Sequence, residues 1–185
     1  MMARSLILCM LILGGCAKLP DTCTTVFPRT TYCIQGTEGI DAFSVLQEVE
    51  FKSNDSSGKF LIRLEVDQTA FRMALLTMLG QSLGSLSYEK NSEIRVIAPG
   101  GEKHFNILMP VAYVQLALWP REIILKGLQA QSIDVQESSR RRVFMNKKGN
   151  TIIAIEYEGT APPYDRLVMS SSEGHKVIIT TLERD

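Results

Sequence analysis

The 185-residue sequence has no excess charge of either sign, with 20 Lys and Arg against 20 Asp and Glu. That balance speaks against nucleic acid as a partner, because phosphate-binding domains carry a basic surplus. Cysteine numbers 4 and histidine 2, and they form no CxxC pair and no Cys/His cluster. Metal-ligating and dithiol redox chemistry therefore have no motif to stand on, and no cofactor is expected. No apolar run reaches the roughly 20 residues that a helix needs to cross a bilayer. Low complexity is absent too: 45% hydrophobic and 22% charged residues are the proportions of an ordinary folded domain.

What is present begins at the N-terminus. Arg4 supplies a positive leader, Ser5 to Leu13 an apolar stretch, and Leu13-Gly14-Gly15-Cys16 resembles the lipobox of bacterial lipoproteins. In that class residues 1–15 are a signal peptide, cut before the cysteine, and Cys16 becomes diacylated and holds the domain to a membrane. Ala17 follows, where Asp would resemble an inner-membrane retention signal. The expected location is therefore the periplasmic face of the outer membrane. With Cys9 removed and Cys16 blocked, Cys23 and Cys33 remain in an oxidising compartment and are expected to form a disulfide, the alternative being two free thiols. Residues 16–39, rich in Thr, Pro and Gly, read as the lipidated cysteine and a tether, and residues 40–185 as one folded domain.

Within that domain Phe60, Ile62, Leu64 and Val66 alternate with Leu61, Arg63, Glu65 and Asp67, the period of a strand with one buried and one wet face. Further strands are predicted at Phe43–Lys52, Ala70–Leu79, Ser82–Glu89, Glu93–Ile97, Ser132–Ser138, Arg141–Asn146, Thr151–Glu158, Arg166–Ser171 and Lys176–Glu183. Their connections carry turn chemistry, as in Asn54-Asp55-Ser56-Ser57-Gly58, Pro99-Gly100-Gly101 and Lys147-Lys148-Gly149-Asn150. In the middle lies a segment of another kind. From Ile107 to Trp119 only Gln115 is fully polar, Pro110 suits a first helical turn, and Pro120 stops the run. Two helices are expected within residues 105–128, over Pro110–Leu118 and Pro120–Lys126, with Gly127 at the second C-terminus. A helix apolar nearly all round needs cover on two sides. Short turns between many strands imply a mainly β (α+β) fold: a curved antiparallel half-barrel of about ten strands, with the helices inserted mid-chain as a lid.

Leu79-Gly80-Gln81, Leu86-Ser87-Tyr88, Gln115-Leu116-Ala117-Leu118-Trp119-Pro120, Arg142 and Ile155-Glu156-Tyr157 together resemble a family of bacterial lipoproteins that carry a domain of unknown function and occur among aryl-polyene-type biosynthesis genes. The resemblance covers Gly39 onwards. That family is similar to LolA and LolB, carrier and acceptor of lipoproteins, whose half-open β-barrel and helical lid enclose an apolar cavity for acyl chains. The resemblance implies the same architecture here, with a hydrophobic lipid or acyl ligand and a periplasmic carrier protein as the partners to look for, in either direction of transfer.

The function expected is an outer-membrane lipoprotein that binds or accepts such a ligand between sheet and lid, in envelope lipid or lipoprotein transport. The expected cavity lining is Phe71, Met73, Leu75, Leu108, Val111, Gln115, Leu116 and Trp119. Buried amides need partners, so Gln115 should bond to nearby backbone or orient the ligand. No catalysis is expected. Gly80-Gln81-Ser82-Leu83-Gly84 fits G-x-S-x-G, with Asp134, Asp165 and His175 in the order of an α/β-hydrolase triad, but a strand after Ser82 is incompatible with the nucleophile elbow. His104 and His175 fall at predicted turns. Arg140-Arg141-Arg142 reads as an exposed strand start or a contact for anionic headgroups. The competing class is a structural or assembly lipoprotein with a filled core that docks a protein partner.

Overall fold

The computed structural model describes residues 22–27, 30–89, 94–97, 108–129 and 133–185. Cys16 and its lipobox, the Pro99-Gly100-Gly101 turn and His104 lie outside these residues. The elements in chain order are β1 (Cys23–Phe27), β2 (Thr30–Cys33), β3 (Phe43–Lys52), β4 (Ser57–Val66), β5 (Ala70–Leu76), β6 (Ser82–Glu89), β7 (Arg95–Ile97), α1 (Leu108–Leu118), α2 (Arg121–Gly127), β8 (Ile133–Ser138), β9 (Arg141–Asn146), β10 (Thr151–Glu158), β11 (Arg166–Ser171) and β12 (Lys176–Arg184).

β3 to β12 form one 10-stranded antiparallel sheet, ordered β7-β6-β5-β4-β3-β12-β11-β10-β9-β8, curved and not closed into a barrel. Every pairing joins sequence neighbours except along one seam, where β12 returns to β3, and β7 and β8 form the two edges. Alternation decides what faces inward. Val45, Gln47 and Val49 on β3 and Ile62, Leu64 and Val66 on β4 are buried. The opposite parity carries charge on the outer face, where Lys59 pairs with Glu48 and Glu50 at 3.0 and 3.2 Å.

α1 lies against the inner face. Val111, Ala112 and Val114 to Leu118 are all buried, because the β1–β2 hairpin lies on the helix as well. Lacking an N–H, Pro120 cannot continue α1; its carbonyl instead accepts from Ile123 and Ile124 and opens α2. Among the described residues no helix is long and apolar enough to cross a membrane.

Three expectations need correction. Residues 16–39 are not a tether throughout. Cys23 and Cys33 face each other across the hairpin, joined by an S–S bond of 1.98 Å, and Val26 and Tyr32 are buried in the core cluster. Thr and Val are strand formers, and loop chemistry masked that here. β5 ends at Leu76, three residues early, since Thr77 starts a turn around Gly80 (φ +78°) and leaves Leu79 86% exposed. α2 runs one residue beyond the expected Lys126, so that Gly127 is its last helical residue and the extended Leu128 (φ −72°) follows it. The small size of Gly127 is needed because an added Cβ would stand 2.4 Å from the Tyr32 ring.

Candidate functional site

A cavity of about 570 Å³ opens between α1 and the seam half of the sheet. Its floor is built by the inward positions of paired strands: Val49 and Phe51 from β3, Phe60 and Ile62 from β4, and Val177 and Ile179 from β12. Met169 and Ile153 extend the floor through β11 and β10. The roof is the first half of α1, where Met109, Pro110, Tyr113 and Val114 share one face, and Thr25 and Val26 of the hairpin close the side. The Tyr113 hydroxyl donates to the Val26 carbonyl at 2.9 Å, which fixes roof to side wall. Burial raises the pKa of that hydroxyl, and the nearby charge of Glu173 raises it further. It stays neutral near pH 7.

None of the eight residues expected to line the cavity borders it. Phe71, Met73 and Leu75 lie on β5, on the other side of β4, under the second half of α1 and Trp119. There the space is filled. Trp119 is fully buried and meets Phe71 edge-on, with ring centroids 5.9 Å apart. Its indole N–H donates to the Gly36 carbonyl at 2.9 Å. Val111 and Leu116 are buried in the same core, and Leu108 packs against it half-buried. Gln115 bonds to nearby backbone, as one of its two expected roles requires: its Oε1 accepts from the Gln35 N–H (2.9 Å) and the Tyr32 hydroxyl (3.1 Å), and its Nε2 donates to the Gln35 carbonyl (2.8 Å). A helix without a polar stripe gives no index of which face meets which strands, so the sequence could not choose between its two faces. The signal that could have found the true floor is the alternation of β3, where Val45, Val49 and Phe51 stand in step.

Arg142 does not stand at an exposed strand start. It is buried, and its Nη1 donates to the carbonyls of Leu116 (2.7 Å) and Ala117 (3.1 Å), closing the C-terminus of α1 where a cation is favoured. Its Nη2 reaches Glu137 at 2.7 Å, while its Nε has no hydrogen-bond partner. Tyr157 also donates to the Ala117 carbonyl, at 2.8 Å. The second half of the roof helix is thus pinned, and its first half spans the cavity. Of the residues weighed for hydrolysis, Ser82 opens strand β6 with no helix after it, and only His175 borders the cavity. Among the described residues no cluster of His, Cys, Asp and Glu could hold a metal ion.

Against known proteins, residues 44–183 match the family described as "Protein of unknown function (DUF3261)". The chain belongs to this family. No curated protein matches the chain at a significant level. Two crystal structures similar to this DUF3261 chain share little sequence with it. One is a domain from Vibrio parahaemolyticus assigned as an outer membrane lipoprotein-sorting protein: 8% identity, 80% of this chain and 86% of that one covered, TM-score 0.43. The other is a DUF1329 family protein from Desulfovibrio piger: 6% identity, 77% and 84% covered, TM-score 0.38.

Proposed function

We propose that this protein is an outer-membrane lipoprotein that shelters or accepts an acyl-type lipid beneath α1, in the transport of envelope lipids or lipoproteins. The observation that carries the reading is the cavity of about 570 Å³, with apolar floor and roof, beside a half of the same sheet that is filled by Trp119 and its neighbours. That volume lies inside the roughly 300–1,000 Å³ range of ligand sites. Burying a chain of about sixteen methylenes contributes on the order of 10 kcal/mol, before the cost of ordering it. Binding of this kind needs no covalent chemistry. The lipobox at Cys16 supplies the membrane anchor, a periplasmic carrier protein is the exchange partner, and release of the Tyr113–Val26 hydrogen bond, which frees the first half of α1, gates the exchange.

Native mass spectrometry of the protein isolated from its own envelope tests this. The expected result is a stoichiometric acyl-containing adduct that is lost in Met169→Trp, which fills the cavity. A clean protein mass, with no uptake of added fatty acid or phospholipid, would instead favour the assembly lipoprotein. That second reading rests on the edges of the open sheet, β7 and β8, which among the described residues pair on one side only and to which an extended segment of a partner can add.

A further inference from the structure

Polarity is not spread evenly around the cavity. Apart from Thr25 and Tyr113, its polar border comes from two turns, β3–β4 with Lys52, Ser53 and Ser56, and β11–β12 with the run from Ser171 to Lys176. The seam places these turns side by side, since Lys52 lies directly opposite Lys176 in the β3–β12 register. Facing like charges are unfavourable across a strand pair. Both lysines are exposed, and among the described residues neither has a carboxylate within ion-pair distance. His175 adds a third basic group to the mouth, and the acidic group there, Glu173, acts on the Tyr113 hydroxyl. The site is therefore apolar in its depth and basic at its opening.

Volume limits the other end of the ligand. A methylene fills about the space of one water, roughly 30 Å³ in the liquid. The 570 Å³ available then matches one chain of about sixteen to eighteen carbons.

We infer that the cavity takes an amphiphile with a single acyl chain and an anionic head, carboxylate or phosphate, the chain lying under α1 and the head held at the mouth by Lys52 and Lys176. This deepens the acyl-binding reading above and rests on it.

The test is displacement of a fluorescent fatty acid from the full chain carrying Cys16→Ser, so that no attached acyl group competes. Four probes are compared: palmitate, a lysophosphatidylglycerol, uncharged hexadecanol, and two-chain phosphatidylglycerol. Palmitate or the lysophospholipid should bind one per chain and more tightly than hexadecanol, the tighter of the two identifying the head. Lys52→Gln with Lys176→Gln should weaken the anion about fivefold, the scale of an exposed ion pair, and leave hexadecanol unchanged. Added salt should act in the same direction. Equal binding of hexadecanol, indifferent to both substitutions, would overturn the head-group assignment and leave the acyl site standing. One-to-one binding of phosphatidylglycerol tighter than either single-chain anion would overturn the single chain. Failure of all four probes would overturn the inference and the acyl reading together.

Discussion

Gln115 shows what one residue can and cannot announce. That an amide in so apolar a helix must bond to backbone follows from the cost of burying it alone, and its position in the sequence is enough to say so. That the backbone belongs to Gln35, 80 residues upstream, is not legible, because nothing in the local pattern marks a contact of that span. Gln115→Leu should destabilise the fold by about 3 kcal/mol, since it leaves the Gln35 N–H and C=O and the Tyr32 hydroxyl without partners at roughly 1–3 kcal/mol each, part of it recovered by relaxation; urea unfolding measures it. Arg142 was hidden in the same way, one of three consecutive arginines of which strand alternation turns this one inward. Two phenols near it carry a pH dependence. Burial raises the pKa of both Tyr32 and Tyr157, against an opposing pull from the Arg142 charge. Folded protein therefore holds these protons more tightly than unfolded chain does. Their contribution is complete below about pH 10 and is lost as pH rises beyond it. Urea midpoints taken from pH 8 to 11 should stay level at first and then decline.

Among the elements, the strands were the most legible, and for a physical reason. β3, β6, β9, β10 and β11 have the bounds their alternation predicts, because one wet face and one dry face leave a period-two trace. Both helices could be found from Pro110, Pro120 and the uniform apolarity between them, but uniformity is also what concealed the orientation of α1. The hairpin was missed since β1 and β2 are only 5 and 4 residues long and interrupted by Pro28. Short strands of this kind do not hold alone. Theirs are held by the bond between Cys23 and Cys33, separated by 10 residues, and by the Tyr113 and Gln115 contacts to α1. Closing so short a loop is worth about 3 kcal/mol in the chain-entropy account. Replacing both cysteines by Ser should lower the melting temperature accordingly. Reductant should lower it in the parent protein and leave the double variant unmoved. Because Thr25 and Val26 wall the cavity, the double variant should also release bound acyl ligand faster.

At the scale of the whole molecule, the chain lays down the β1–β2 hairpin, then five strands, two helices and five strands, and the two meanders meet in the sheet along the single β3–β12 ladder. The architecture was readable because every other pairing joins neighbours in sequence, whereas the seam is a contact between distant segments, and only the structure locates it. The cavity lies across that seam: Val49, Phe51, Phe60 and Ile62 come from the first meander and Ile153, Met169, Val177 and Ile179 from the second. A chain seated there touches both, and so acts as a further connection between two halves that otherwise share one ladder and a helix. By mass action it stabilises the state in which the halves are joined, more than it stabilises either half. Under the proposed function, occupancy sets cooperativity as well as stability. Calorimetry of delipidated protein should give a heat of unfolding larger than the van't Hoff value, the mark of two units parting separately, and the acyl-loaded protein should bring the two values together. Cargo, on this view, is the last piece of the core.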